Sequence, residues 1–172
     1  MSSTATTVSR SSTGKPRLAP YIAIAVAVVL ALFVILLATR DDQRAAWSPL
    51  LDKPAPAIVG NGFRGEEFDL DAQRGKWVVV NFFSTTCIPC LQEHPELVEF
   101  SERHGDAASI VSVTFDDRPE AVRSFFEREG GDWPVLLENT GSIAISYGVV
   151  AVPESYVIDP FGIVRAKVLG GV

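Results

Sequence analysis

The residues whose types and spacing could do chemistry lie close together. Both cysteines of the 172-residue chain, Cys87 and Cys90, stand in "FFSTTCIPCLQEHPEL" (82–97). Pro89 lies between them, and Glu93 and His94 follow about one helical turn on. A pair so spaced can be a structural staple, a metal clip or a thiol–disulfide reagent. As a staple it closes a very small ring, which removes little entropy from the unfolded chain and stabilises little. As a structural zinc clip it lacks the second pair that usually completes four ligands; His94 and His104 are near, and no histidine follows them. As a reagent it needs a thiolate, and a cysteine at a helix N-terminus gains one from unpaired N–H groups and the positive end of the helix dipole.

The flanking pattern supplies that helix start. "WVVVNFF" (77–83) is a near-continuous β-branched and aromatic run, the mark of a strand buried on both faces. Cys90 to His104 is predicted helical, with Leu91, Leu97, Val98 and Phe100 as apolar points and Pro95 as a kink. "EEFDL" (66–70) predicts a short strand and "ASIVSVTF" (108–115) a second buried one. A helix then opens with Asp117 as its cap and Pro119 early in it, and ends at glycine. "WPVLLE" is extended, "TGSIAISYGV" a short helix, and "ESYVID" and "IVRAKVL" form a hairpin across "PFG", where Gly162 supplies positive φ. Strand–helix alternation closed by a hairpin predicts an α/β sandwich on one mixed sheet. Trp77, Trp133 and the ten phenylalanines are expected in the core, and His94 on the helix surface without a role.

Upstream, residues 1–17 are Ser/Thr-rich with three cations and no acid, and read as a disordered cytoplasmic leader. Residues 18–39 are predicted to be a transmembrane anchor, since "YIAIAVAVVLALFVILLA" carries no charge and lacks a small-x-small cleavage site after it. The basic flank places the N-terminus inside and the rest outside, as a single-pass plasma-membrane protein. The proline-bearing stretch 40–53 reads as a linker and 54–172 as the domain. The chain has net charge −6. Without the four cations of residues 1–40, 11 cations face 21 acids. So acidic a domain has no basic stripe for nucleic acid, and an extracytoplasmic, oxidising space suits disulfide chemistry.

Cys-x-Pro-Cys at a strand–helix junction, Pro95 five residues after Cys90, and Pro153 before a late strand resemble the thioredoxin superfamily. Within it, the apolar N-terminal run, "CxPCxxEHPEL" and "VPESYVIDPFGIVRAKVLGG" resemble the membrane-anchored TlpA/ResA/CcmG (DsbE) group. That resemblance implies a thioredoxin-like sandwich and a cis Val152–Pro153 bond packed against the cysteine pair. It also implies a partner groove formed by Thr86, Pro89, Val152, Pro153 and Glu154. Asn81 stands where thioredoxin has a buried aspartate, and Glu93 where the group has a glutamate that tunes the second cysteine. Thr86 replaces the usual tryptophan, and the chain stops where the family continues into a last helix, which suggests a truncated C-terminus.

The implied reaction is exchange without a dissociable cofactor or metal. Cys87 attacks a partner disulfide, and Cys90, helped by Glu93, resolves the mixed disulfide. The implied partner is an exported disulfide protein such as apocytochrome c during cytochrome c biogenesis, with electrons from a membrane thiol transporter of the CcdA/DsbD type. Two alternatives stand beside it. One is a disulfide-forming oxidant. The other is a thiol peroxidase, because Ser84 lies three before Cys87 as in peroxiredoxins, although Val80 holds the place of their proline.

Overall fold

The computed structural model describes residues 18–38, 46–115 and 117–170. They divide between two compact units, Met1–Asp42 and Gln43–Val172. In the first, α1 (Leu18–Ala38) is a 21-residue helix of Ala, Val, Leu and Ile with no charged residue in its end turns. Its side chains are described for residues 20–33, all exposed. Among the described residues no helix is long and apolar enough to cross a membrane. The leader 1–17 and residues 39–45 lie outside the described residues.

The second unit is built on β1 (Val59–Asn61), β2 (Glu67–Asp69), β3 (Trp77–Phe83), α2 (Ile88–His104), β4 (Ala108–Thr114), α3 (Pro119–Glu129), β5 (Val135–Leu136), α4 (Thr140–Tyr147), β6 (Glu154–Ile158) and β7 (Val164–Leu169). β1 and β2 form a small antiparallel ribbon. The other five strands make one sheet in the order β5-β4-β3-β6-β7. β4 lies parallel to β3 and β5, whereas β6 is antiparallel to β3 and β7, so the sheet is mixed as predicted.

β3 is the middle strand, and period-2 alternation sends its side chains into two cores. Val78, Val80 and Phe82 join Ile58, Tyr147 and Tyr156 on one face. Val79 and Phe83 join Leu97, Phe125, Phe126 and Trp133 on the face covered by α2 and α3. Asn81 belongs by its parity to that second face. Each fully buried aliphatic or aromatic side chain contributes ~1.5–3 kcal/mol, and Phe82 alone packs on both Tyr147 and Tyr156.

Several expectations are corrected. Residues 46–53 are not a free linker: Ala46 N bonds to Lys167 O, Asp52 N to Val164 O, and Leu50 and Leu51 pack on the core. The folded unit thus takes in part of the stretch read as a tether. α2 opens at Ile88, two residues before the expected start. α3 is capped by Arg118 without a side-chain bond, because the Asp117 carboxylate is engaged elsewhere. Trp77 is 43% exposed at the first position of β3, and Phe115 and Phe161 are also exposed rather than core. The β6–β7 hairpin turns at Gly162 with φ 78°, as expected. The stretch where a last helix was expected to be missing ends in residues 171–172, outside the described residues.

Candidate active site

β3 ends at Phe83, and four residues later Cys87 takes extended backbone angles (φ −86°, ψ 109°) as the N-cap of α2. Pro89 falls in the first turn of α2, where a missing N–H costs no helical hydrogen bond. Cys87 and Cys90 are joined as a disulfide with Cα atoms 5.2 Å apart. The two sulfurs are not equivalent. Cys90 is 3% exposed and packs in the core, whereas Cys87 is half-buried, and its Sγ accepts from Cys90 N at 3.3 Å. Once reduced, the outer sulfur is therefore the one a partner can reach, and an N–H of the helix start already points at it.

The buried stripe of α2 is Cys90, Glu93, His94 and Leu97, an i, i+3, i+4, i+7 face. Glu93 is 2% exposed, and its Oε1 accepts from Asn81 Nδ2 at 2.8 Å. It is not a solvated helix glutamate; it lies inside, one turn beyond Cys90. His94 is 5% exposed, which corrects the expected surface placement. Its ring packs edge-on to Phe125 and Phe126 and beside Trp133. Nε2 lies 3.0 Å from Gly130 O, so the neutral ring carries its proton there. Burial pushes the His94 pKa below its ordinary 6.5, against the raising pull of Gly130 O and Glu129.

Opposite the disulfide, the Val152–Pro153 peptide is cis. The Val152 carbonyl oxygen lies 3.5 Å from Cys87 Sγ, so the two halves of the expected groove do meet. Thr86 and Pro89 are exposed on the cysteine side. Glu154 differs from expectation. It is 1% exposed, ion-paired with the buried Lys167 at 2.9 Å, and accepts from Val150 N at 3.3 Å. It braces the loop before Pro153 from beneath instead of lining a surface.

A second brace holds the turn that presents Cys87. The Asp117 carboxylate accepts from Thr85 N at 3.1 Å, from Thr85 Oγ1 at 2.5 Å and from Ser84 Oγ at 3.3 Å. Ser84 Oγ also contacts Thr86 Oγ1 and accepts from Thr86 N. The serine that a peroxidase would direct at its cysteine is thus bonded along its own turn. Among the described residues no group of three or more His, Cys, Asp or Glu is placed to hold a metal ion.

Residues 51–167 match the model of the AhpC/TSA family. The chain belongs to that family. Among AhpC/TSA-type relatives, it is 31% identical over 121 residues to thiol-disulfide oxidoreductase ResA of Bacillus thuringiensis subsp. konkukian, covering 70% of each chain. It is 34% identical over 133 residues to thiol:disulfide interchange protein DsbE of Allochromatium vinosum, covering 75% of this chain and 72% of that one. In structure it is similar to the thioredoxin domain of a thiol-disulfide oxidoreductase from Bacteroides vulgatus, with TM-score 0.65, 30% identity, and coverage of 72% and 91%. This AhpC/TSA-family chain is accordingly a thioredoxin-like thiol-disulfide oxidoreductase of the ResA/DsbE type.

Two members of the site carried no clear sequence signal. His94 breaks an otherwise apolar stripe, and a period-3.6 reading that counts only hydrophobic residues skips it, whereas Glu93 was legible through the resemblance. Asp117 lies 32 residues from Thr85 in sequence, and only the parallel pairing of β3 with β4 brings it there. Asn81 was visible as a polar residue inside an apolar strand, which is a sufficient sign of a buried partner.

Proposed function

We propose that this protein reduces disulfides of exported proteins, with apocytochrome c as the partner in cytochrome c biogenesis. The observation that carries the reading is the asymmetry of the pair. Cys87 is reachable at a helix start with the Val152 carbonyl beside it, and Cys90 is buried one turn from Glu93. The Cys87 thiolate attacks a partner disulfide, forming a mixed disulfide and releasing one partner thiolate. The Cys90 thiolate, its proton passed to Glu93, then attacks Cys87 Sγ and releases the second partner thiolate. Two electrons have moved to the partner, and the Cys87–Cys90 disulfide remains.

Thr86, Pro89, Val152 and Pro153 form the surface on which the partner chain lies extended. Exposed Ile88 and Val150 extend it with apolar area. The reading includes anchorage by residues 18–39, with the N-terminus cytoplasmic and the domain outside. A membrane thiol transporter of the CcdA/DsbD type then returns the pair to the dithiol. The uncharged composition of α1 and the cations before it support this.

Replacing the resolving cysteine tests the reaction. Cys90→Ser is expected to accumulate a covalent complex through Cys87 with disulfide-bearing apocytochrome c, released by dithiothreitol. Cys87→Ser is expected to form none. Equal trapping by both variants would overturn the assigned roles.

A further inference from the structure

Asn81 stands at the centre of a polar row that crosses three strands. Ser112 on β4 and Ser155 on β6 are its register partners on either side. All three are buried in an otherwise apolar interior. Asn81 Nδ2 donates to Glu93 Oε1 at 2.8 Å and to Ser155 Oγ at 3.1 Å. Ser112 Oγ donates to Asn81 Oδ1 at 3.4 Å, the longest link of the row, and Trp133 Nε1 donates to Ser112 Oγ at 2.8 Å.

The polarity of this chain is set from both of its ends. An indole N–H can only donate, an amide NH2 can only donate, and an ionised carboxylate can only accept. Trp133 therefore fills a lone pair on Ser112 Oγ and leaves the Ser112 hydrogen for Asn81 Oδ1. With its oxygen so engaged, the Asn81 amide turns both N–H groups to the other side, one for Glu93 and one for Ser155. The reverse orientation would set the amide oxygen against a carboxylate oxygen and take from the Ser112 hydroxyl hydrogen the acceptor it has in Asn81 Oδ1. Buried donors and acceptors left unpaired are costly, so one orientation is selected.

We infer that Trp133 and Ser112 are positioning residues for the exchange reaction. Acting through the Asn81 amide, they hold the Glu93 carboxylate in the orientation from which it serves Cys90. This inference rests on the role proposed above for Glu93 and extends it to two residues on β4 and the β5 approach. A buried asparagine here does more than replace an acid: it links Glu93 to the hydrogen bonds of Ser112 and Trp133.

The test uses the full chain and two readouts. The first is the side-chain amide resonance of Asn81 in the oxidised protein, which needs no partner and no turnover. The second is steady-state reduction of a peptide containing one disulfide, with a small-molecule dithiol returning the Cys87–Cys90 disulfide to the dithiol after each turnover. Ser112→Ala is expected to shift the Asn81 NH2 signals and remove their protection from hydrogen exchange. It is also expected to lower kcat by up to about tenfold, the worth of one neutral hydrogen bond, with KM unchanged. Ser112→Thr, which keeps the hydroxyl, is expected to restore both. Trp133→Phe is expected to act in the same direction but less, because the Ser112 hydroxyl remains; it replaces Ser112→Ala if that variant does not fold.

Unmoved Asn81 signals with unchanged kcat, or a loss of melting temperature alone, would overturn the inference. So would a Ser112→Thr variant as impaired as Ser112→Ala. Altered Asn81 signals with unchanged kcat would also overturn it, since Glu93 would then act without this row, and would leave exchange through Cys87 and Cys90 standing.

Discussion

His94 shows how a residue next to the chemistry can serve the fold. It follows Glu93 on the buried stripe, yet its ring stacks into the Phe125, Phe126 and Trp133 cluster and its Nε2–H donates to Gly130 O. Gly130 closes α3 at φ 80°, a conformation that suits glycine, so His94 ties α2 to the end of α3. Burial lowers its pKa from 6.5, so the unfolded chain binds the proton first as pH falls. The contribution of neutral His94 is therefore complete above about 6.5. It declines as pH drops from there through the lowered folded value, at no more than ~1.4 kcal/mol per pH unit. Urea midpoints at a series of pH values between 5 and 7.5 check this. The wild type is expected to lose stability across that window, and His94→Phe, which keeps a packed ring, to lose less. Parallel losses would assign the acid sensitivity to other groups.

At the scale of elements, the site is assembled from ends: the end of β3, the start of α2, the loop after β4 and the loop before β6. Two of them are pinned by a carboxylate from a neighbouring segment. Asp117 holds the Ser84–Thr86 turn, and Glu154, paired with Lys167 of β7, holds Val150. The Glu154–Lys167 pair is buried, with Lys167 Nζ also 5.3 Å from the centre of the Tyr156 ring. Removing one partner leaves the other charged and alone inside. Lys167→Met is expected to cost ~3–5 kcal/mol, and Glu154→Gln in the same background to recover part of it. Chemical denaturation of the single and double variants measures both. Additive losses would mean that the two side chains do not act as a pair.

Much of this arrangement was legible from sequence. β3 and β4 were visible as apolar runs, the β6–β7 hairpin as two strands across "PFG", and the cysteine pair as a helix start. The cis peptide before Pro153 followed from resemblance, because an X-Pro bond alone does not reveal its isomer. The braces were not legible. Asp117 read as a helix cap because its partners lie 32 residues back on another element, and Glu154 as a groove residue because its burial depends on the pairing of β6 with β7. Residues 46–53 read as a tether because their long-range hydrogen bonds run to β7, more than a hundred residues on.

At the scale of the whole molecule, the folded unit is a scaffold that keeps one sulfur outside and the other inside. Its mixed sheet puts Asn81 at the centre, Glu93 above it and the Val152 carbonyl against Cys87. The direction in which such a pair passes electrons depends on the balance between its dithiol and disulfide forms, which partner recognition does not set. The measurement that tests the proposed role most directly is the reduction potential of the Cys87–Cys90 pair in the full-length protein, equilibrated in thiol redox buffers. A dedicated reductant is expected near or below the ~ −270 mV of thioredoxin. A value near the ~ −120 mV of a strong periplasmic oxidant would contradict that role and make the protein a donor of disulfides.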